Sequence, residues 1–268
     1  MTVTHEWLHL VLYFAICIAP NRFCTSASGV KLPPPKNGSV YVIAHRGAHL
    51  DIPENTLAAY SRAIELGVDF VEIDVRTTAD SHWVSVHNAS LQAYVENDHR
   101  KVSDLTLEQI RSLDVGRRQG DPWRGTRIAT LEEIVELCKG RCGIYMDIKS
   151  AHIPSLISYL ETQDMLNSVL LYVDLNEPLL ASAASRFPHS LFMPDPGPEK
   201  NLLKLFNVYQ PAIVATVWEH CSASFVHFCH QRDALVFMDE DRPEDWARAI
   251  AWGVDGIQTD DPERLIRF

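Results

Sequence analysis

From Val40 onward the chain alternates short apolar runs of strand character with helical stretches, and this repetition most limits how it can fold. Val40–Ala44, Phe70–Val75, Gly143–Ile148, Val169–Val173, Leu191–Met193, Ile213–Val217, Leu235–Met238 and Gly256–Thr259 read as strands, with Trp83–His87 as an additional hairpin-like one. Between them the apolar spacing predicts helices over Asn55–Leu66, Leu105–Leu113, Thr130–Cys138, Pro154–Leu160, Pro178–Arg186, Lys200–Phe206, Ala223–Cys229 and Pro243–Trp252, with a last turn over Pro262–Phe268. Repeated strand–helix units imply a mainly parallel sheet of the α/β class. About eight units in a stretch near 250 residues favour a closed (β/α)8 TIM barrel over an open doubly wound sheet. The glycine-rich phosphate loop that would follow the first strand of a nucleotide-binding open sheet is missing.

The segment before Val40 has a different character. Leu8 to Ala19 is apolar apart from His9, too short to span a bilayer, and small residues follow at Thr25-Ser26-Ala27. The expected organisation is a signal peptide over 1–28, a proline-rich linker over 29–39 and one catalytic domain over 40–268. The expected location is periplasmic or extracellular, and cytoplasmic if the segment is not a signal. The 24 Lys and Arg against 35 Asp and Glu give a net charge of −11. That balance argues against broad nucleic-acid binding, which needs a basic stripe, but leaves room for one cationic pocket.

In a parallel barrel the site forms at the C-terminal ends of the strands. Strand ends here carry His45-Arg46-Gly47, Glu72-Ile73-Asp74, His87-Asn88 and Asp147-Ile148-Lys149. Side chains alternate along a strand, so Glu72 and Asp74 share one face, as do Asp147 and Lys149, while Ile73 and Ile148 face the helices. Three inward carboxylates repel one another unless a cation joins them. An all-oxygen donor set suits one hard divalent cation, Mg²⁺, Ca²⁺ or Mn²⁺. With that ion, Arg46 and Lys149 bring these residues to a net charge near +1, which fits a monoanionic phosphodiester as the small-molecule substrate. Arg46 grips phosphoryl oxygens through its planar fork. His45 and His87, on different strands, supply an acid and a base for ester cleavage.

The series His45-Arg46-Gly47, Pro53-Glu54-Asn55-Thr56, Glu72-Ile73-Asp74 and His87 resembles the glycerophosphodiester phosphodiesterase family. Leu131-Glu132-Glu133 and the Gly253–Asp260 stretch (GVDGIQTD) fit the same pattern, so the resemblance spans about Val40 to Phe268. It implies a (β/α)8 barrel of the PLC-like phosphodiesterase type, a divalent cation, and hydrolysis to glycerol 3-phosphate and an alcohol. By position it implies His45 and His87 as the acid/base pair and Arg46 and Lys149 as phosphate contacts. It implies Glu72, Asp74 and Asp147 as metal ligands and Glu54 and Asn55 as a supporting loop. Membrane-lipid contact is compatible with such a substrate, and the oligomeric state is left open.

This chain departs from the family pattern at four places. Asn88 stands where Asp is usual, Asp147 where Glu is usual, Ala93-Tyr94-Val95 replaces Arg-Thr-Thr, and Met238 takes the place of a tryptophan expected to line the pocket. Asp-x-Lys at Asp147–Lys149 also resembles sphingomyelinase D-type barrels. Two alternatives follow: phospholipase D-like cleavage of (lyso)phospholipid headgroups, and a barrel that binds glycerophosphodiesters without turnover. Away from these motifs, His49 and the remaining histidines read as surface or structural, and Asp239-Glu240-Asp241 as solvated loop. Cys138 and Cys142 flank a turn where export permits pairing; Cys221 and Cys229 read as helix packing.

Overall fold

The computed structural model describes residues 32–174, 177–239 and 242–268. The expected signal peptide lies outside these residues. Eight parallel strands form a (β/α)8 barrel: β1 (Tyr41–Ala44), β2 (Phe70–Thr77), β4 (Gly143–Ser150), β5 (Val169–Asp174), β6 (Leu191–Asp195), β7 (Ile213–Val217), β8 (Leu235–Asp239) and β9 (Gly256–Thr259). A short β3 (Trp83–Ser85) pairs antiparallel with β2. The ladder runs β6-β5-β4-β2-β1-β9-β8-β7. Strands β6 and β7 then meet side by side with no ladder between them.

Alternation along each strand builds two cores. Tyr41, Ile43, Phe70, Tyr145, Leu170, Met193, Ala215 and Phe237 fill the barrel interior. Their neighbours Val42, Val71, Ile73, Met146, Val214 and Met238 face the helices. Two interior positions are glycine because neighbouring rings occupy the space. A Cβ on Gly143 would lie 2.4 Å from the Phe70 ring, and one on Gly256 2.7 Å from the Phe237 ring.

The helices are α1 (Leu57–Leu66), α2 (Leu107–Ser112), α3 (Leu131–Cys138), α4 (Ile153–Thr162), α5 (Glu177–Arg186), α6 (Leu202–Val208), α7 (Ala223–His230), α8 (Pro243–Trp252) and α9 (Pro262–Arg267). Thr56 caps α1 through Ala59 N–H, and Gly67 ends it at φ 87°. Helix α2 starts two residues later than the spacing predicts, because Thr106 and Gln109 form a capping box. Strand β3 stops two residues short of His87, which is carried on a loop. This excursion between β2 and β4 has its own small core of Val84, Val86, Leu91, Val102, Leu105 and Ile110. Cys138, Cys142, Cys221 and Cys229 are buried free thiols.

Residues ahead of β1 are docked against the N-terminal end of the barrel. Leu32 packs on the interior cluster, and Tyr41 Oη donates to Pro33 O at 2.8 Å. Lys36 N donates to Asp69 Oδ1 at 2.8 Å, while its Nζ donates to the carbonyls of Val68 and Arg141.

Candidate active site

The turn after β1 sets the geometry of the mouth. Arg46 and Asn55 both adopt left-handed backbone, at φ 53° and 57°, which costs non-glycine residues energy and marks an over-determined segment. The two turns are tied together where Asn55 N donates to Arg46 O at 3.0 Å. Gly47, at φ 84°, packs against α1 so closely that a Cβ would lie 2.8 Å from the Ala59 backbone. This conformation aims Arg46 N–H at Glu72 Oε2, 2.7 Å away. The Arg46 side chain donates from Nη1 to Glu54 Oε2 at 3.0 Å. Its Nε is buried, 3.6 Å from Asp74 Oδ2, and has no hydrogen-bond partner among the described residues.

Glu72, Asp74 and Asp147 converge, with one oxygen from each within 4.8 Å of the others. Glu72 and Asp74 are 2% and 1% exposed. Burial pushes the Glu72 carboxyl well above the usual carboxylate range, and the Asp74 charge adds to that. Asn55 Nδ2 donates to Asp74 Oδ2 at 2.8 Å, while Asn55 Oδ1 accepts from Tyr60 Oη and Ser85 Oγ at 2.8 and 2.7 Å. The buried amide therefore holds Asp74 in one orientation.

Strand β4 pairs in register with β2 through Asp74–Asp147 and Val75–Ile148, and then shifts so that Arg76 faces Ser150. The extra residue is Lys149, and the bulge re-aims it. Its Nζ sits 2.7 Å from Asp147 Oδ2 and 3.3 Å from Asp74 Oδ1. Burial opposes the charged amine, yet the contact with Asp147 and the nearby Asp74 hold its pKa above the ordinary value. Asp147 is pushed upward by burial, with Lys149 acting against that shift.

Each of the two predicted histidines has its Nδ1 held by a side-chain oxygen. His45 Nδ1 lies 2.7 Å from Asp260 Oδ1. Burial disfavours the imidazolium, but Asp260 and the charges of Glu72 and Asp239 outweigh it and raise His45 to about 9. His87 Nδ1 donates to Asn88 Oδ1 at 2.8 Å. Asn88 thus fills an orienting position where an acid is usual, without the charge. The backbone carbonyl of His87 is pinned by Arg76, whose Nη2 donates at 2.6 Å.

His45, Arg46, Glu72, Asp74, His87, Asp147 and Lys149 all line one cavity at the strand C-terminal ends. Glu54 and Asn55 stand behind it and act on Arg46 and Asp74. The cavity encloses about 190 Å³, several times the roughly 30 Å³ that one water occupies in the liquid, so a small organic molecule fits.

Several lining residues were not anticipated: Asp195, Asp239, Gln258, Tyr145 and Tyr172. Asp239, expected to be solvated loop, is the last residue of β8 and shares the inward face of Phe237. Met238, expected in the pocket, faces the helices and is 1% exposed. Strand parity carries the signal for both, once β8 is extended by one residue. The two added aspartates also replace the expected net charge near +1 by a more acidic lining. His49, expected at the surface or in a structural role, lies 3.4 Å from the same Asp260 oxygen that His45 contacts.

Known proteins resemble the chain in sequence and in fold. A family model for the glycerophosphoryl diester phosphodiesterase family matches residues 45–184. A glycerophosphodiester phosphodiesterase of Caldanaerobacter subterraneus subsp. tengcongensis is 34% identical over 239 residues, covering 85% of this chain and 96% of that relative. Glycerophosphodiester phosphodiesterase GDPD4 of Arabidopsis thaliana is 28% identical, covering 82% of this chain and 70% of its own length. Among solved structures, a putative glycerophosphoryl diester phosphodiesterase from Silicibacter pomeroyi superposes with a TM-score of 0.76 at 23% identity, covering 88% of this chain and 95% of that one. A phosphodiesterase from Oleispira antarctica, solved with its product sn-glycerol-3-phosphate, gives 0.74 at 23% identity and covers 84% and 94%.

Proposed function

The chain belongs to the glycerophosphoryl diester phosphodiesterase family, and from that premise we propose that it is a metal-dependent enzyme hydrolysing glycerophosphodiesters to glycerol 3-phosphate and an alcohol. The observation that carries this reading is the meeting of three carboxylates, two cationic side chains and two oriented imidazoles in one cavity. The carboxylates fit a hard divalent cation: their donors are all oxygen, two are almost fully buried, and Glu72 is pushed toward its protonated form by burial and by the Asp74 charge, which a cation would offset. Glu72, Asp74 and Asp147 would hold the ion, and it would stabilise charge on the phosphoryl group.

Arg46 and Lys149 orient the phosphodiester. Arg46 lines the cavity, and its guanidinium brings there the positive charge and N–H groups that suit a phosphoryl oxygen. His45, paired with an anionic partner, favours the protonated ring and acts as the general acid, giving its proton to the oxygen of the departing alcohol. His87, paired with a neutral amide, acts as the general base and takes a proton from the attacking water. One P–O bond forms, one breaks, and the two ring nitrogens end with exchanged protonation states.

The test is release of glycerol 3-phosphate from a panel of glycerophosphodiesters with Mg²⁺, Ca²⁺ or Mn²⁺ against a chelated control. Release that stops on chelation supports the proposal. Binding without release favours a non-catalytic barrel, and headgroup release from dispersed lysophospholipid alone favours the phospholipase D-like alternative.

A further inference from the structure

On β8 and β9 the ladder sets Asp239 directly beside Gln258, both facing the cavity. Gln258 is 7% exposed, and its Oε1 has no hydrogen-bond partner among the described residues. A buried amide oxygen without a donor is unfavourable, so this position calls for an N–H or O–H brought by a ligand. At the end of β6, Asp195 also lines the cavity. Its Oδ1 accepts from Gly197 N at 2.7 Å, and its Oδ2 lies 3.4 Å from Tyr172 Oη. His45 adjoins β9, its backbone N–H donating to Thr259 O at 3.1 Å. The alcohol that receives a proton from His45 therefore leaves along the side of the cavity that carries Gln258 and Asp239.

Charge narrows what that alcohol is. With a divalent ion bound and His45 protonated, the five lining carboxylates are balanced by the ion, His45, Arg46 and Lys149. A phosphodiester then makes the filled cavity negative, and a neutral alcohol leaves it so. We propose that Asp195, Asp239 and Gln258 form a leaving-alcohol wall that selects an alcohol carrying an ammonium group. This rests on the phosphodiesterase reading. The carboxylates attract the charge, and a primary ammonium also gives Gln258 Oε1 its donor.

The experiment compares kcat/KM of the full chain for glycerophosphoethanolamine, glycerophosphocholine, glycerophosphoglycerol and glycerophosphoinositol with the same divalent ion. The two ammonium-bearing diesters are expected to exceed the neutral-alcohol ones by about tenfold or more, the scale of a charge-assisted contact. Asp195→Asn and Asp239→Asn should each shrink that ratio. Gln258→Leu should lower the ethanolamine diester relative to the choline diester, because a quaternary ammonium has no N–H to lose. The ratio is read because Asp239 also acts on His45. Equal efficiency across the wild-type panel overturns the proposal without needing any variant, as does a ratio unchanged in both aspartate variants. Release of glycerol 3-phosphate from none of the four would instead remove the phosphodiesterase reading.

Discussion

His45 Nδ1 and Asp260 Oδ1 lie 2.7 Å apart although 215 residues separate them in the chain. The contact joins the first strand end to the residue after the last strand. It keeps a proton on Nδ1 and leaves Nε2 as the nitrogen for transfer. His45→Ala and His87→Ala are each expected to lower kcat by about 10²-fold or more, the usual scale of general acid–base catalysis. Steady-state turnover decides it, and near-full turnover in either variant would remove that residue from the proton-transfer pair.

Asp260→Asn keeps the shape but removes the charge that raises His45. In the metal-free protein the pKa raised to about 9 contributes stability that is fully present below about 6.5 and is lost as pH rises through about 9. Thermal melts between pH 6 and 10 should show that loss for the wild type and a flatter profile for Asp260→Asn. Imidazole NMR should show the His45 pKa falling. An unmoved His45 titration would mean that Asp260 does not govern it.

Glu72 is held toward its protonated form by burial and by Asp74, so a divalent cation must displace a proton to reach it. Affinity should rise with pH. Calorimetry in two buffers of different ionisation enthalpy should report proton release, smaller in Glu72→Gln. Asp147→Ala should weaken binding at least about tenfold, and Asp147→Glu should retain activity. Unchanged affinity in Asp147→Ala would take Asp147 out of the ion site.

Asn55→Ala would remove the amide oxygen shared by the hydroxyls of Tyr60 and Ser85, which keep only their 2.8 Å contact with each other, and would take from Asp74 its amide donor. The expected loss is about 2–4 kcal/mol, from several buried groups at roughly 1–3 kcal/mol each, measured by urea unfolding. Asn55→Asp should also destabilise, because it puts a second charge against Asp74.

Asp69 is buried and accepts from the backbone N–H of both Lys36 and Val42, each at 2.8 Å. Asp69→Ala should unseat the segment before β1 and lower stability by about 2 kcal/mol or more. Differential hydrogen exchange at Val42 and residues 32–36 would localise the effect, and wild-type protection there would contradict it.

Strand periodicity carried much of the site in advance. Glu72, Asp74 and Asp147 could be oriented from alternation alone, because a parallel barrel strand has no solvated face, and alternation placed Lys149 at the same mouth. Alternation did not reveal that Lys149 reaches Asp74 as well, since the bulge that turns it is a relation between two strands. Asp260 was legible only as part of a motif: its partner is distant in sequence, and a carboxylate after a strand looks the same whether it meets an imidazole or water. Asp239 was missed by a single residue of strand length, the least certain quantity in reading a sequence. That residue decides which of Met238 and Asp239 meets the ligand.

The barrel wall is hydrogen-bonded all the way round except where β6 meets β7. Backbone ladders set the energy of local opening, so this seam is where the wall yields first. Asp195 ends one of the two seam strands, whereas β1, β2 and β4, which carry the triad and Arg46, lie across the barrel in paired ladders interrupted only by the bulge at Lys149. The wall thus has a laddered arc under the reacting groups and a compliant arc at Asp195, while Asp239 and Gln258 stand on β8 and β9, which are laddered through to β1. Replacements along the compliant arc can alter which esters are accepted while the reacting groups keep their spacing.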